Sequence, residues 1–176
     1  LESAVRNDLN VSAPRAMAVL NPLKLQMTNL EVPEVLKVAN HPVDETLGKR
    51  EVQFGPEIWI DKDDFRQEAN KKFKRLVLGK RVRLRGGYVI EAERCDIDRD
   101  GEVTAVYASI VPQTLGEDPD DGVKAKGVIH WVDAATGIAA EIRSYDRLFT
   151  SEDPSKADNI DDVINPTSLV VGQAIV

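Results

Sequence analysis

From Val19 onward, Gly, Pro, Asn and Asp cut this chain into short runs of alternating or continuous apolar residues, and that spacing most restricts its fold. The runs cover residues 19–27, 35–38, 57–60, 76–78, 81–85, 88–94, 102–111, 123–132, 140–145 and 169–171. Each is of strand length and is bounded by turn residues. Many short strands at such spacing point to an antiparallel barrel or sandwich and away from a doubly wound sheet. Helical signal is sparse. Residues 2–9 suit the last turns of a helix, broken by Pro14. A helical turn is expected at 62–71, where Asp61 can cap and Asp63 and Asp64 favour a helix N-terminus. A second is expected near 158–163. The fold class is all-β with one or two short helices.

The residue inventory narrows the chemistry. A chain of 176 residues can form one sizeable domain or two small ones. No apolar run approaches the roughly 20 residues that span a bilayer. The first eight residues lack the layout of a signal peptide, so a cytoplasmic protein is expected. Cys95 is the single cysteine, which excludes an internal disulfide and a multi-cysteine metal site. Of the two histidines, His130 lies in an apolar run and is expected as a hydrogen-bonded structural residue. His41, between Asn40 and Pro42, reads as a loop residue. No nucleophile motif or glycine-rich phosphate loop is present, and the chain does not read as a catalyst.

One apparent motif dissolves on inspection. Asp96-Ile97-Asp98-Arg99-Asp100-Gly101 copies the first half of a calcium-binding EF-hand loop. The twelfth position of that loop requires a bidentate glutamate and here is Tyr107. Asp100-Gly101 instead marks a hairpin turn. The acidic run Glu117–Gly122 is expected as a solvated loop.

Charge supplies the functional lead. Residues 66–85 contain nine Lys and Arg against one acid, Glu68, in a chain whose net charge is −7. Such confinement suits a protein that docks part of a nucleic acid at one address. Within the segment, Arg81-Val82-Arg83-Leu84-Arg85 alternates strictly. In a strand, the arginines would share one face while Val82 and Leu84 enter the core. Arginine rows spaced near 7 Å approximate extended nucleotides, and each guanidinium can bond a base or a phosphate bidentately. Aromatic residues make up only 5% of the chain, so a stacking platform is not expected.

Several strings resemble the C-terminal half of glutaminyl-tRNA synthetases. They include Asp8-Leu9-Asn10, Ala13-Pro14-Arg15-Ala16-Met17-Ala18-Val19, Asn40-His41-Pro42 and Glu57-Ile58-Trp59-Ile60-Asp61. Lys74-Arg75-Leu76-Val77-Leu78-Gly79-Lys80, Val82-Arg83-Leu84-Arg85, Gly127-Val128-Ile129-His130-Trp131-Val132 and Tyr145-Asp146-Arg147-Leu148-Phe149 continue the likeness. It covers essentially the whole chain in order. The resemblance implies two antiparallel β-barrels of ribosomal protein L25-like type that bind the anticodon, with residues 1–12 ending a preceding helical segment and 13–176 forming the barrel region. It also implies tRNA(Gln) and an N-terminal catalytic domain of the same polypeptide as partners, in a monomer. ATP and magnesium would serve the full-length class I enzyme outside this chain, which holds no cofactor itself.

Carried over by position, the implied anticodon contacts are Asn10, Arg15, Lys72, Lys74, Arg75, Arg83 and Arg85. Arg15 would serve the middle base, Arg83 or Arg85 one outer base, and Lys74 with Arg75 the other. Two positions depart from the family: Lys72 stands where glutamine is frequent, and Arg81, where an acid is common, is expected to be phosphate-facing or exposed. The family also continues beyond the strand near Val171–Val176, with a further glutamine and arginine for the anticodon. Rival expectations are a glutamyl-tRNA synthetase anticodon domain, an L25-like rRNA-binding module, and a domain whose arginines dock an acidic protein.

Overall fold

The computed structural model describes residues 2–176. Helix α1 (Glu2–Ser12) buries none of its residues. Thirteen strands follow: β1 (Pro22–Met27), β2 (Glu34–Ala39), β3 (Lys49–Phe54), β4 (Glu57–Asp61), β5 (Phe65–Arg66), β6 (Leu76–Val77) and β7 (Arg81–Leu84), then β8 (Val89–Ile97), β9 (Val103–Ile110), β10 (Val128–Ile129), β11 (Val132–Asp133), β12 (Ala139–Tyr145) and β13 (Leu169–Ile175). The all-β expectation with a short helix holds.

Seven strands form one sheet in the order β10-β7-β8-β9-β1-β4-β11. Its two edge strands, β10 and β11, are separated in sequence only by His130 and Trp131. The three Cα steps from Ile129 to Val132 span about 11 Å at most, so the sheet must curl until its edges nearly meet. Alternation across this seam turns Trp131 inward, fully buried, and leaves His130 exposed. The Trp131 Nε1–H donates to the Arg85 carbonyl at 3.0 Å, and its ring meets Phe54 edge-on, centroids 5.1 Å apart. Leu25, Ile58, Ile60, Val82, Leu84 and Ile90 fill the interior around them.

Alternation also holds in β7, where Val82 and Leu84 are fully buried. The β8–β9 turn is a hairpin: Asp98 N–H donates to the Glu102 carbonyl at 2.9 Å, and Gly101 takes φ of +85°. Asp98 spends a carboxylate oxygen on the N–H groups of Asp100 and Glu102, which anchors the turn.

Several expectations need correction. The sheet is mixed, because β1 runs parallel to β9 and β10 parallel to β7. The expected 123–132 strand is two short strands, since the chain changes partner at the seam. The 62–71 helix shrinks to one 3₁₀ turn, Lys62–Asp64, capped by Asp61 on the Asp63 N–H at 3.1 Å. Phe65 then goes extended to reach the core, 6% exposed. A 3₁₀ turn at Ile160–Val163, capped by Asn159, takes the place of the second. Strand β3 was not expected at all; its Lys-Arg-Glu-Val-Gln sequence lacks apolar alternation, and it pairs with β2 as a separate hairpin. Ribbons β5–β6 and β12–β13 also stand apart from the sheet.

Candidate nucleic-acid interface

The basic segment does not present one free face. Arg81 donates from Nε to Glu91 at 2.7 Å and from Nη1 to Asp121 at 2.8 Å. Its side chain is 15% exposed, which corrects the expectation of an open or phosphate-facing residue. Arg83 donates from Nη1 to the Thr114 carbonyl at 2.8 Å and from Nη2 to the Glu117 carbonyl, with Asp118 at 3.4 Å. The acidic run is therefore only partly a solvated loop: its backbone and two of its carboxylates hold two arginines of β7.

Arg85, two residues on and one past the end of β7, is different. It lines a cavity of about 600 Å³ with Arg15, Arg50, Gly86, His130 and the edge of β2. That size is typical of small-ligand sites. Local structure explains the convergence. Gly86 turns at φ +68° and packs against Val38, whose cross-strand partner is Arg50. Arg15 reaches the same place because its N–H donates to the Asn40 carbonyl at 2.6 Å. Its guanidinium donates to the Asn10 side-chain oxygen at 3.0 Å. Asn10 thus aims Arg15 from the last turns of α1. Among the described residues, Arg15, Arg50 and Arg85 have no carboxylate partner within 4.0 Å.

The two histidines exchange their expected roles. His41 is buried, and its Nδ1 accepts from the N–H groups of Val43 and Asp44 at 3.2 and 2.8 Å. The ring proton must then lie on Nε2, which donates to the Asn10 carbonyl at 3.0 Å. Among the described residues His130 makes no such bonds, and it lines the cavity. Partial burial holds its imidazole below the ordinary histidine range, helped by Arg85 and Arg75 and opposed by Asp64.

Arg75 sits beside this cluster, paired with Asp64. The Asp64 carboxyl is raised, chiefly by burial and also by Asp61, against the lowering by Arg75. Lys72 and Lys74 are exposed on the preceding loop. The Lys74 carbonyl lies directly under Gly127, where no Cβ would fit. The structure therefore gathers Arg15, Arg85 and, through Arg15, Asn10 at the cavity, and places Arg75 outside its lining, paired with Asp64 near His130, with Lys72 and Lys74 on the adjoining loop. Arg83 is turned toward the acidic run instead. Arg50 escaped the sequence reading because nothing but its position opposite Val38 brings it here.

Residues 13–111 match the family model described as tRNA synthetases class I (E and Q), anti-codon binding domain. Residues 128–176 match a second model of the same description. The chain belongs to this anticodon-binding family. It is 56% identical, over 178 aligned residues, to a glutamine–tRNA ligase of Vibrio cholerae, covering 100% of the chain and 32% of that relative. It is 58% identical to one from Photobacterium profundum, covering 97% of the chain and 31% of the relative. A glutamine–tRNA ligase of Actinobacillus succinogenes is 54% identical, covering 100% of the chain and 32% of its own length. The chain thus spans about a third of the length of these curated relatives. In an anticodon-binding domain, an acid-free arginine cavity beside an exposed lysine loop has the chemistry expected of a surface for unstacked bases and their phosphates.

Proposed function

We propose that this chain is the part of a glutamine–tRNA ligase that reads the anticodon of tRNA(Gln). The observation that carries the reading is the meeting of Arg15 and Arg85, far apart in sequence, at one cavity without acids. Arginine donors reach the acceptor edges of bases, and Arg15 serves the middle base while Arg85 serves an outer one. Lys74 and Arg75 serve the other outer base, and exposed Lys72 meets phosphate. Asn10 orients Arg15. Arg83, whose Nη atoms hold the acidic run, keeps an Nε without a partner among the described residues and is the alternative to Arg85 for its outer base.

Attachment of glutamine would use ATP and magnesium in a catalytic part of the same polypeptide, in the cytoplasm, with the enzyme acting as a monomer. Among the described residues, no group of three or more His, Cys, Asp or Glu side chains is placed to hold a metal. The magnesium would be held in that catalytic part.

A competition assay separates this reading from an rRNA-binding module. A stem-loop with the glutamine anticodon should displace a labelled copy of itself at concentrations where a bulged RNA duplex does not. Equal competition by the duplex would favour recognition of folded RNA over single-stranded bases.

A further inference from the structure

We infer that Arg50 is the phosphate-holding residue of the cavity, gripping the backbone of a nucleotide whose base is read by Arg15 and Arg85. The inference rests on the anticodon reading and adds a residue and a role to it. Three guanidinium groups line one cavity, and none has a carboxylate partner among the described residues. Like charges gathered this way repel, and a neutral base leaves that repulsion uncompensated. A nucleotide phosphate cancels it. The ligand class that suits the cavity is therefore a base together with its phosphate.

Arg50 is the cavity arginine to which no base is assigned. Its Nη1 donates to the Ala39 carbonyl and the Asn40 side-chain oxygen at 3.4 and 3.3 Å, which fixes the stem of the fork. Its Nε and Nη2 have no hydrogen-bond partner among the described residues, so donors remain for an incoming anion. Arg15 likewise spends only Nη2, on Asn10, and it is the base contacts proposed for Arg15 and Arg85 that leave the phosphate to Arg50. Asn40 is held in turn by its own amide on the Leu47 carbonyl at 2.9 Å, so Arg50 projects from a braced turn. Phosphate contacts position a nucleic acid without reading it. Arg50 should then raise affinity without adding discrimination.

Salt dependence distinguishes the two roles. The full chain and Arg50→Gln would be titrated with the glutamine stem-loop and with a loop changed at one anticodon base, across a range of NaCl. R50Q should weaken both loops by the same factor, roughly tenfold. The slope of log affinity against log salt should fall by about 0.7, one single-strand phosphate's worth of released counterions. Arg50→Lys should restore most of that slope. Stem-loops with neutral methylphosphonate links through the anticodon should bind the wild type and R50Q alike. An unchanged salt slope with a lowered melting temperature would reduce Arg50 to a brace for the Asn40 turn and overturn the inference. Loss of cognate preference in R50Q would make it a base reader and overturn it equally. If the wild type shows no cognate preference, the anticodon reading fails, and the slope difference still reports on Arg50.

Discussion

Trp131→Ala should destabilise the fold by about 3–5 kcal/mol, measured by urea unfolding. The indole is fully buried at the seam where the curled sheet brings its two edges together. Its removal opens a cavity against Phe54 and frees β10 and β11 from the residue between them. The same side chain holds the Arg85 carbonyl at 3.0 Å, so core and cavity share one support. Trp131→Phe isolates that support. It keeps an apolar ring and leaves the Arg85 carbonyl without its donor, at a cost of about 1–3 kcal/mol. Its preference for the cognate loop should fall as the Arg85 backbone loosens. A Phe variant with a normal unfolding midpoint and undiminished preference would show that Trp131 does not position Arg85.

The second large effect is expected at Gly127. A Cβ there would collide with the Lys74 carbonyl oxygen and lie 3.0 Å from its carbon, both backbone atoms that cannot turn aside. Either β10 must leave β7, losing the bond from the Arg83 N–H to the Gly127 carbonyl at 2.9 Å, or the lysine loop must move. Gly127→Ala should therefore cost at least about 2–3 kcal/mol, more than a surface methyl ever does. RNA binding should weaken for cognate and changed loops together, because Lys72, Lys74 and Arg75 shift as a unit. A folded Gly127→Ala variant of wild-type stability would mean that this close approach is absent.

Local patterns carried much of the fold. Arg81–Leu84 announced both its strand and the burial of Val82 and Leu84, because alternation over four residues needs only a solvent face and a core. The Asp98–Gly101 turn was equally plain, since the positive φ demands glycine. Strand β3 was hidden because a hairpin lying outside the main sheet has one face with little to bury. The occupation of Arg81 and Arg83 was hidden for another reason. Apart from Glu91, directly across the β7–β8 pair from Arg81, their partners lie 31 to 40 residues away in the run 114–121, and no local pattern encodes such pairing. His130 was misread although a signal existed: with Ile129 and Trp131 inward, period two sends His130 outward. The family resemblance found Arg15 and Arg85, and geometry added Arg50 and His130 to the same cavity.

The most direct test of anticodon reading is a fluorescence titration of two stem-loops, one with the glutamine anticodon and one with its middle uridine changed, against wild type and Arg15→Ala. Wild type should prefer the cognate loop, and Arg15→Ala should lose about 1–3 kcal/mol of that preference while its melting temperature holds. Equal binding of the two loops by the wild type would contradict the reading.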